Sequence, residues 1–148
     1  MPSKKWSLLN TQQLGRYAEQ YAFMEFLSYG LDVYPTEVDD HGVDLIIKDK
    51  KGSFREVQVK SVRNWSYVFI KNQYIEAANK KKDGSYLICY MNFEDGQLPQ
   101  MFLFSSAVWR NPNGVFKDRP YEYGISVCKK NRCLLDPYVF EKQIVDLL

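Results

Sequence analysis

GVDLIIKDKKGSFREVQVKS, residues 42–61, is the stretch on which the fold turns. Two largely apolar runs, VDLIIK (43–48) and SFREVQVKSV (53–62), flank the polar turn DKKG, which is the pattern of an antiparallel hairpin. Strand alternation places Val43, Leu45 and Ile47 on one face and Asp44 and Ile46 on the other; in the second run Val57 and Val59 oppose Glu56, Gln58 and Lys60. Closing the hairpin about residues 49–53 brings Asp44 opposite Gln58, within one position of register. Three polar side chains, Asp44, Gln58 and Lys60, then share one patch on the flank of a core.

Burying such a patch costs free energy unless its members are paired or bind something. An internal answer is an Asp44–Lys60 salt bridge with a purely structural role. The chemical answer is a divalent cation and a phosphate. Phosphodiester hydrolysis assisted by a metal needs hard oxygen ligands and a cation near the developing charge. Asp44, the side-chain oxygen of Gln58 and the main-chain carbonyl of Val59 can supply ligands, and Lys60 the cation.

Upstream, Leu14, Tyr17, Ala18, Tyr21, Ala22 and Phe26 recur at three- and four-residue steps, predicting a helix over 11–29 with Thr11 as its cap and Gly30 at its end. Glu19 falls at the margin of that apolar stripe, where it can hold a second metal or orient a water. LDVYPTEV (31–38) reads as a strand before the hairpin. After it come a helix over 72–82, a nearly continuous apolar strand SYLICYM (85–91), strands at 100–105 and 123–128, and a closing helix over 137–148 opened by Pro137. The order is α-β-β-β-α-β followed by an extension.

The segments GRYAEQYAFMEFLSYG and GVDLIIKDKKGSFREVQVKS together resemble the PD-(D/E)XK nuclease superfamily. They carry a helix glutamate, an aspartate opening the next strand, and an acid-x-Lys triplet on its partner, here written Gln-x-Lys. The resemblance spans Gly15 to about Tyr90, and within the superfamily it points to the Gln-x-Lys branch of small homing endonucleases and their bacterial relatives. It implies an α/β fold: a restriction-endonuclease-like αβββαβ core with a central mixed sheet and a C-terminal β/α extension. The implied activity is Mg²⁺- or Mn²⁺-dependent hydrolysis of DNA. Residue by residue, Asp44 matches the metal-binding aspartate, Gln58 the second ligand, Lys60 the catalytic lysine and Glu19 the helix glutamate. Val43 stands where the family name has proline. Gln58 stands for an acid, which removes one negative charge from the metal site; Glu56, two residues earlier, is a compensating carboxylate. With that charge missing, the alternative is a weak or inactive nuclease-fold module that binds nucleic acid or a protein.

Composition sets the frame. The 148 residues, 45% apolar and 16% aromatic, suffice for a single domain over 1–148 with a real core. A net charge of +2 does not by itself announce a nucleic-acid binder. Three cysteines, Cys89, Cys128 and Cys133, with the single His41 are too few for zinc and suit a reducing cytoplasm; Cys128 and Cys133 are placed to face each other across a hairpin. No apolar run is long enough to span a bilayer, and no N-terminal signal pattern is present. His41 is a base or a plain loop histidine, and Asp39 and Asp40 are turn residues before they are ligands. Gln73 and Tyr74 open the second helix, where a site-supporting polar residue is expected. Trp65, Tyr67, Trp109 and Tyr121 are core or base-stacking aromatics, and the loop 109–121, with Arg110, Lys117 and Arg119, mixes bases and rings as a DNA-contacting element does. Cutting both strands with so small a domain favours a homodimer.

Overall fold

A computed structural model describes residues 1–37, 41–81 and 84–148. The helical period becomes α1 (Thr11–Ser28), whose Leu14, Ala18, Ala22 and Phe26 are buried. Its cap is Asn10 rather than Thr11: the Asn10 side chain accepts from the Gln13 N–H at 2.8 Å while the Gln13 side chain returns a bond to the Asn10 N–H, a reciprocal capping box. Gly30, with φ +79°, takes the left-handed turn that ends the helix.

Five strands follow α1 into one mixed sheet. These are β1 (Asp32–Pro35), β2 (Leu45–Lys48), β3 (Phe54–Arg63), β5 (Tyr86–Phe93) and β6 (Gln100–Ser105), in spatial order β1-β2-β3-β5-β6. β1, β2 and β3 are antiparallel neighbours, β5 runs parallel to β3, and β6 returns antiparallel. A parallel partner needs a crossover. It is supplied by β4 (Val68–Lys71) and α2 (Asn72–Lys81).

The hairpin register is Leu45↔Val57 through Lys48↔Phe54. Its turn is organised by Asp49, whose carboxylate accepts the Ser53 N–H at 2.9 Å and the Lys51 N–H at 3.0 Å. Those bonds, the Ser53 one foremost, hold its carboxyl below the usual aspartate range.

Each face of the sheet covers a core. On one side Leu45, Ile47, Val57, Leu87, Cys89 and Met91 pack against α1. On the other Ile88, Tyr90, Phe102 and Phe104 meet Ile70, Ile75, Phe116 and Ile125 from α2 and a second, three-stranded sheet. That small sheet runs β4-β8-β7, with β7 (Phe116–Arg119) and β8 (Glu122–Ile125).

Several expectations change. β4 and β7 were not foreseen: β7 lies within the stretch read as a loop, and β8 covers only part of the strand expected at 123–128. β1 is shorter than 31–38, and Val38 lies outside the described residues, as does Lys82 at the end of the second helix. β2 starts at Leu45, not Val43, and Val43 packs with the core opposite Leu45 and Ile47. The closing helix over 137–148 is broken into a 3₁₀ turn at Arg132–Tyr138, α3 (Phe140–Gln143) and a 3₁₀ turn at Ile144–Leu147. Pro137 sits inside the first piece, and Val139 is extended and bridges to Phe102, so the backbone leaves the helix there. Cys128 and Cys133 do not flank a hairpin. The Arg132 N–H bonds to the Cys128 carbonyl at 3.0 Å in a helical turn, and both are exposed free thiols. Among the described residues no helix is long and apolar enough to cross a membrane.

Candidate active site

Asp44 is placed by the turn before it. Gly42 adopts φ +71°, open to glycine and strained for other residues, and a Cβ there would stand 2.5 Å from Cδ2 of Tyr74. The Tyr86 hydroxyl reaches the Gly42 carbonyl at 2.7 Å, and the Thr36 hydroxyl donates to the Val43 carbonyl at 2.7 Å. Held in this way, the chain enters β2 with the Asp44 N–H on the Val57 carbonyl at 2.9 Å. This turn also breaks the expected alternation, because a left-handed residue before Val43 rotates the chain out of the pleat.

Past Leu45↔Val57 the ladder has no further pairs, and the Asp44 side chain takes over. Its carboxylate accepts the Val59 N–H at 2.7 Å, occupying the donor that a longer β2 would have used. Asp44 is 8% exposed and Gln58 4%. Gln58 Oε1 lies 2.8 Å from the Tyr86 hydroxyl, which belongs to the neighbouring strand, β5. Lys60 is half-buried two residues further on.

The predicted residues are thus divided between two clefts. Asp44 and Glu19 line one, about 430 Å³, together with Arg16 and Gln20 of α1 and Thr36. Gln58 and Lys60 line the other, about 510 Å³, beside the small sheet, with Tyr67, Phe69, Lys71 and Arg119. Asp44 therefore faces the α1 side, where its charge and that of Glu25 add to burial, the main cause, in pushing the Cys89 thiol up to about 12.

Glu56 faces a third cleft, with His41, Gln73 and Tyr74, apart from the one Asp44 lines, and is ion-paired with Lys81 at 3.4 Å. Asp39 and Asp40 lie outside the described residues. Among those that are described, no three His, Cys, Asp or Glu side chains gather as metal ligands. The expected ligands are instead mixed: carboxylate, amide and main-chain carbonyl.

Two residues that organise this region were not singled out for it. Tyr86 joins Gly42 to Gln58, and Thr36 ties the approach to Asp44. Neither role has a local sequence signal, because each depends on strands distant in the chain.

No protein-family model matches the chain, and no curated protein matches it. Solved structures do. The Holliday junction resolvase Hjc of Archaeoglobus fulgidus superposes with a TM-score of 0.63 at 8% identity, over 90% of this chain and 97% of that one. The bacterial homing endonuclease I-Ssp6803I superposes with a TM-score of 0.61 at 15% identity, over 93% of each chain. At these identities the likeness is one of fold, and the fold is restriction-endonuclease-like.

Proposed function

We propose that the chain is a divalent-metal-dependent endodeoxyribonuclease of the Gln-x-Lys type, hydrolysing DNA phosphodiester bonds where β2 and β3 part. The observation that carries this reading is the 2.7 Å bond from the Val59 N–H to the Asp44 carboxylate. It fixes a largely buried carboxylate against β3, the strand that also carries Gln58 and Lys60. In an extended strand the N–H and C=O of one residue leave on the same side, so the Val59 carbonyl shares that side with Asp44.

The donor set is one of hard oxygens: Asp44, the Val59 carbonyl and the Gln58 amide, with Glu19 in the Asp44 cleft. That chemistry suits Mg²⁺ or Mn²⁺. Tyr86 supports the Gln58 part. Its hydroxyl has one proton for two acceptors, at 2.7 Å and 2.8 Å. Turning the Gln58 amide by half a rotation lets both bonds form, the NH₂ donating to the hydroxyl and the amide oxygen facing away from it.

When bound, the ion would polarise the phosphate and acidify a water. The remaining work belongs to the chain. Lys60 sets an ammonium beside the scissile phosphate as negative charge develops, and Glu19 orients the attacking water and takes its proton. The three free thiols suit a cytoplasmic setting, and cutting both strands would take two copies.

The test is cleavage of supercoiled plasmid and of single-stranded DNA with Mg²⁺ or Mn²⁺, wild type beside Lys60→Ala. Wild-type nicking that needs metal and falls about a hundredfold or more in the variant is expected. Undiminished turnover in Lys60→Ala would remove the assignment. Wild-type binding with no cutting would turn it toward a nucleic-acid-binding module.

A further inference from the structure

The cleft holding Gln58 and Lys60 opens onto the outer face of the small sheet. Register and burial define that face: Phe69 and Lys71 from β4, Gly124 and Glu122 from β8, and Lys117 and Arg119 from β7. The opposite face, with Ile70, Phe116 and Ile125, is buried in the core. Three cations thus stand on the solvent side of the small sheet, Lys71 on one outer strand and Lys117 and Arg119 on the other, with Glu122 of β8 between them.

The face is built as well as charged. Tyr67 lies over Gly124, where an added Cβ would come 2.6 Å from its ring carbon Cε2, so glycine at 124 is what lets the ring lie against the sheet. Its hydroxyl bonds to Glu122, and the Arg119 guanidinium sits 4.6 Å from its ring centroid. Burial first, then the Glu122 bond, pushes the phenol up to about 12, which keeps it a donor. The acid on this face is therefore engaged by tyrosine; Arg119 lies along the Tyr67 ring at the surface, Lys71 is exposed and Lys117 half-buried. Beside them Phe69 leaves 44% of its surface in water, an accessible aromatic face next to the cations.

We propose that this face carries an unpaired DNA strand to the site: Lys71, Lys117 and Arg119 hold successive phosphates, and the Phe69 ring stacks on a base released from pairing. Complementary charge selects a phosphate backbone, and an exposed ring selects an accessible base face. The inference rests on the nuclease reading only for the strand's destination at Lys60. In a duplex the base faces are already stacked on one another, and Phe69 would have no partner.

The test is fluorescence anisotropy with labelled single-stranded and duplex DNA in EDTA, so that binding is measured without chemistry. Wild type is compared with Lys71→Ala/Lys117→Ala and with Phe69→Ala, each checked by a circular dichroism melt. The double variant should lower the slope of log affinity against log salt by about 1.4 on single strands, about 0.7 for each lost contact. Phe69→Ala should cost about tenfold or more on single-stranded DNA and much less on duplex. An unchanged salt slope, or equal Phe69→Ala losses on both DNAs, overturns the inference. Metal-dependent nicking by a wild type whose binding ignores these residues would spare the nuclease reading and reject the surface. Binding that depends on them in a chain that cuts nothing would do the reverse.

Discussion

At Gln58 the chain holds an amide where its resemblance leads one to expect a carboxylate. The side chain is 4% exposed, and Asp44 is held through the N–H of the next residue, Val59. In Gln58→Glu two anions would compete for a poorly solvated edge, and burying a carboxylate without a cation costs roughly 1–3 kcal/mol. The variant is expected to be less stable than wild type at neutral pH in EDTA by about that amount. Burial and the Asp44 charge both raise the new carboxyl's pKa in the folded state. The deficit is therefore full above that raised value and closes as pH falls toward the ordinary glutamate range. Millimolar Mn²⁺ should restore more stability to the variant than to wild type, since only the variant gains a charged ligand. Urea unfolding with and without Mn²⁺ measures both effects, and a variant indifferent to the metal would contradict the proposed ligand set. Residue type and a two-residue period put Asp44, Gln58 and Lys60 on one patch. They were not enough to assign sides, because Gly42 turns the chain before Asp44 and sends its carboxylate toward α1.

Elements with a strong local signal were legible: α1 stands where helical spacing put it, the β2–β3 hairpin where alternation did, and β5 where a continuous apolar run did. The elements missed were short and depended on partners. β4 has four residues, and the turn leading into it, Arg63–Ser66, holds Asn64 at φ 48° and Trp65 at φ 61°. Left-handed values at both central positions make this a hairpin-type turn, yet tryptophan is not a residue that announces one. Burial of Trp65 and the bond from its N–H to the Asn92 side chain at 2.7 Å offset the strain. The turn at Gly42 allows a cleaner test. Gly42→Ala meets two penalties, the left-handed backbone and the Tyr74 ring, and should destabilise by about 1–3 kcal/mol. In a Tyr74→Ala background the collision is gone, and only about 1 kcal/mol of backbone strain should remain. Equilibrium denaturation of the four proteins in this cycle checks it. Equal costs in both backgrounds would mean that the ring yields freely and does not hold the turn.

For the whole molecule, the arrangement of its two cores is the decisive feature. β5 alternates between them, sending Leu87, Cys89 and Met91 toward α1 and Tyr86, Ile88 and Tyr90 toward α2 and the small sheet. Neither core can lose its wall without exposing the other, so the single domain expected over 1–148 should unfold as one cooperative unit. The tryptophans are distributed to test this. Trp6 lies in the first core, and Trp65 and Trp109 in the second. With Trp6→Phe, fluorescence follows the second core; with Trp65→Phe/Trp109→Phe it follows the first. Since each substitution shifts stability, every variant is compared with its own far-ultraviolet circular dichroism rather than with the others. In both variants the fluorescence and dichroism midpoints in urea should coincide. A small-sheet midpoint at lower urea than the dichroism would identify β4, β7 and β8 as a separately melting unit. The surface proposed to carry DNA would then be able to move independently of Asp44 and Lys60.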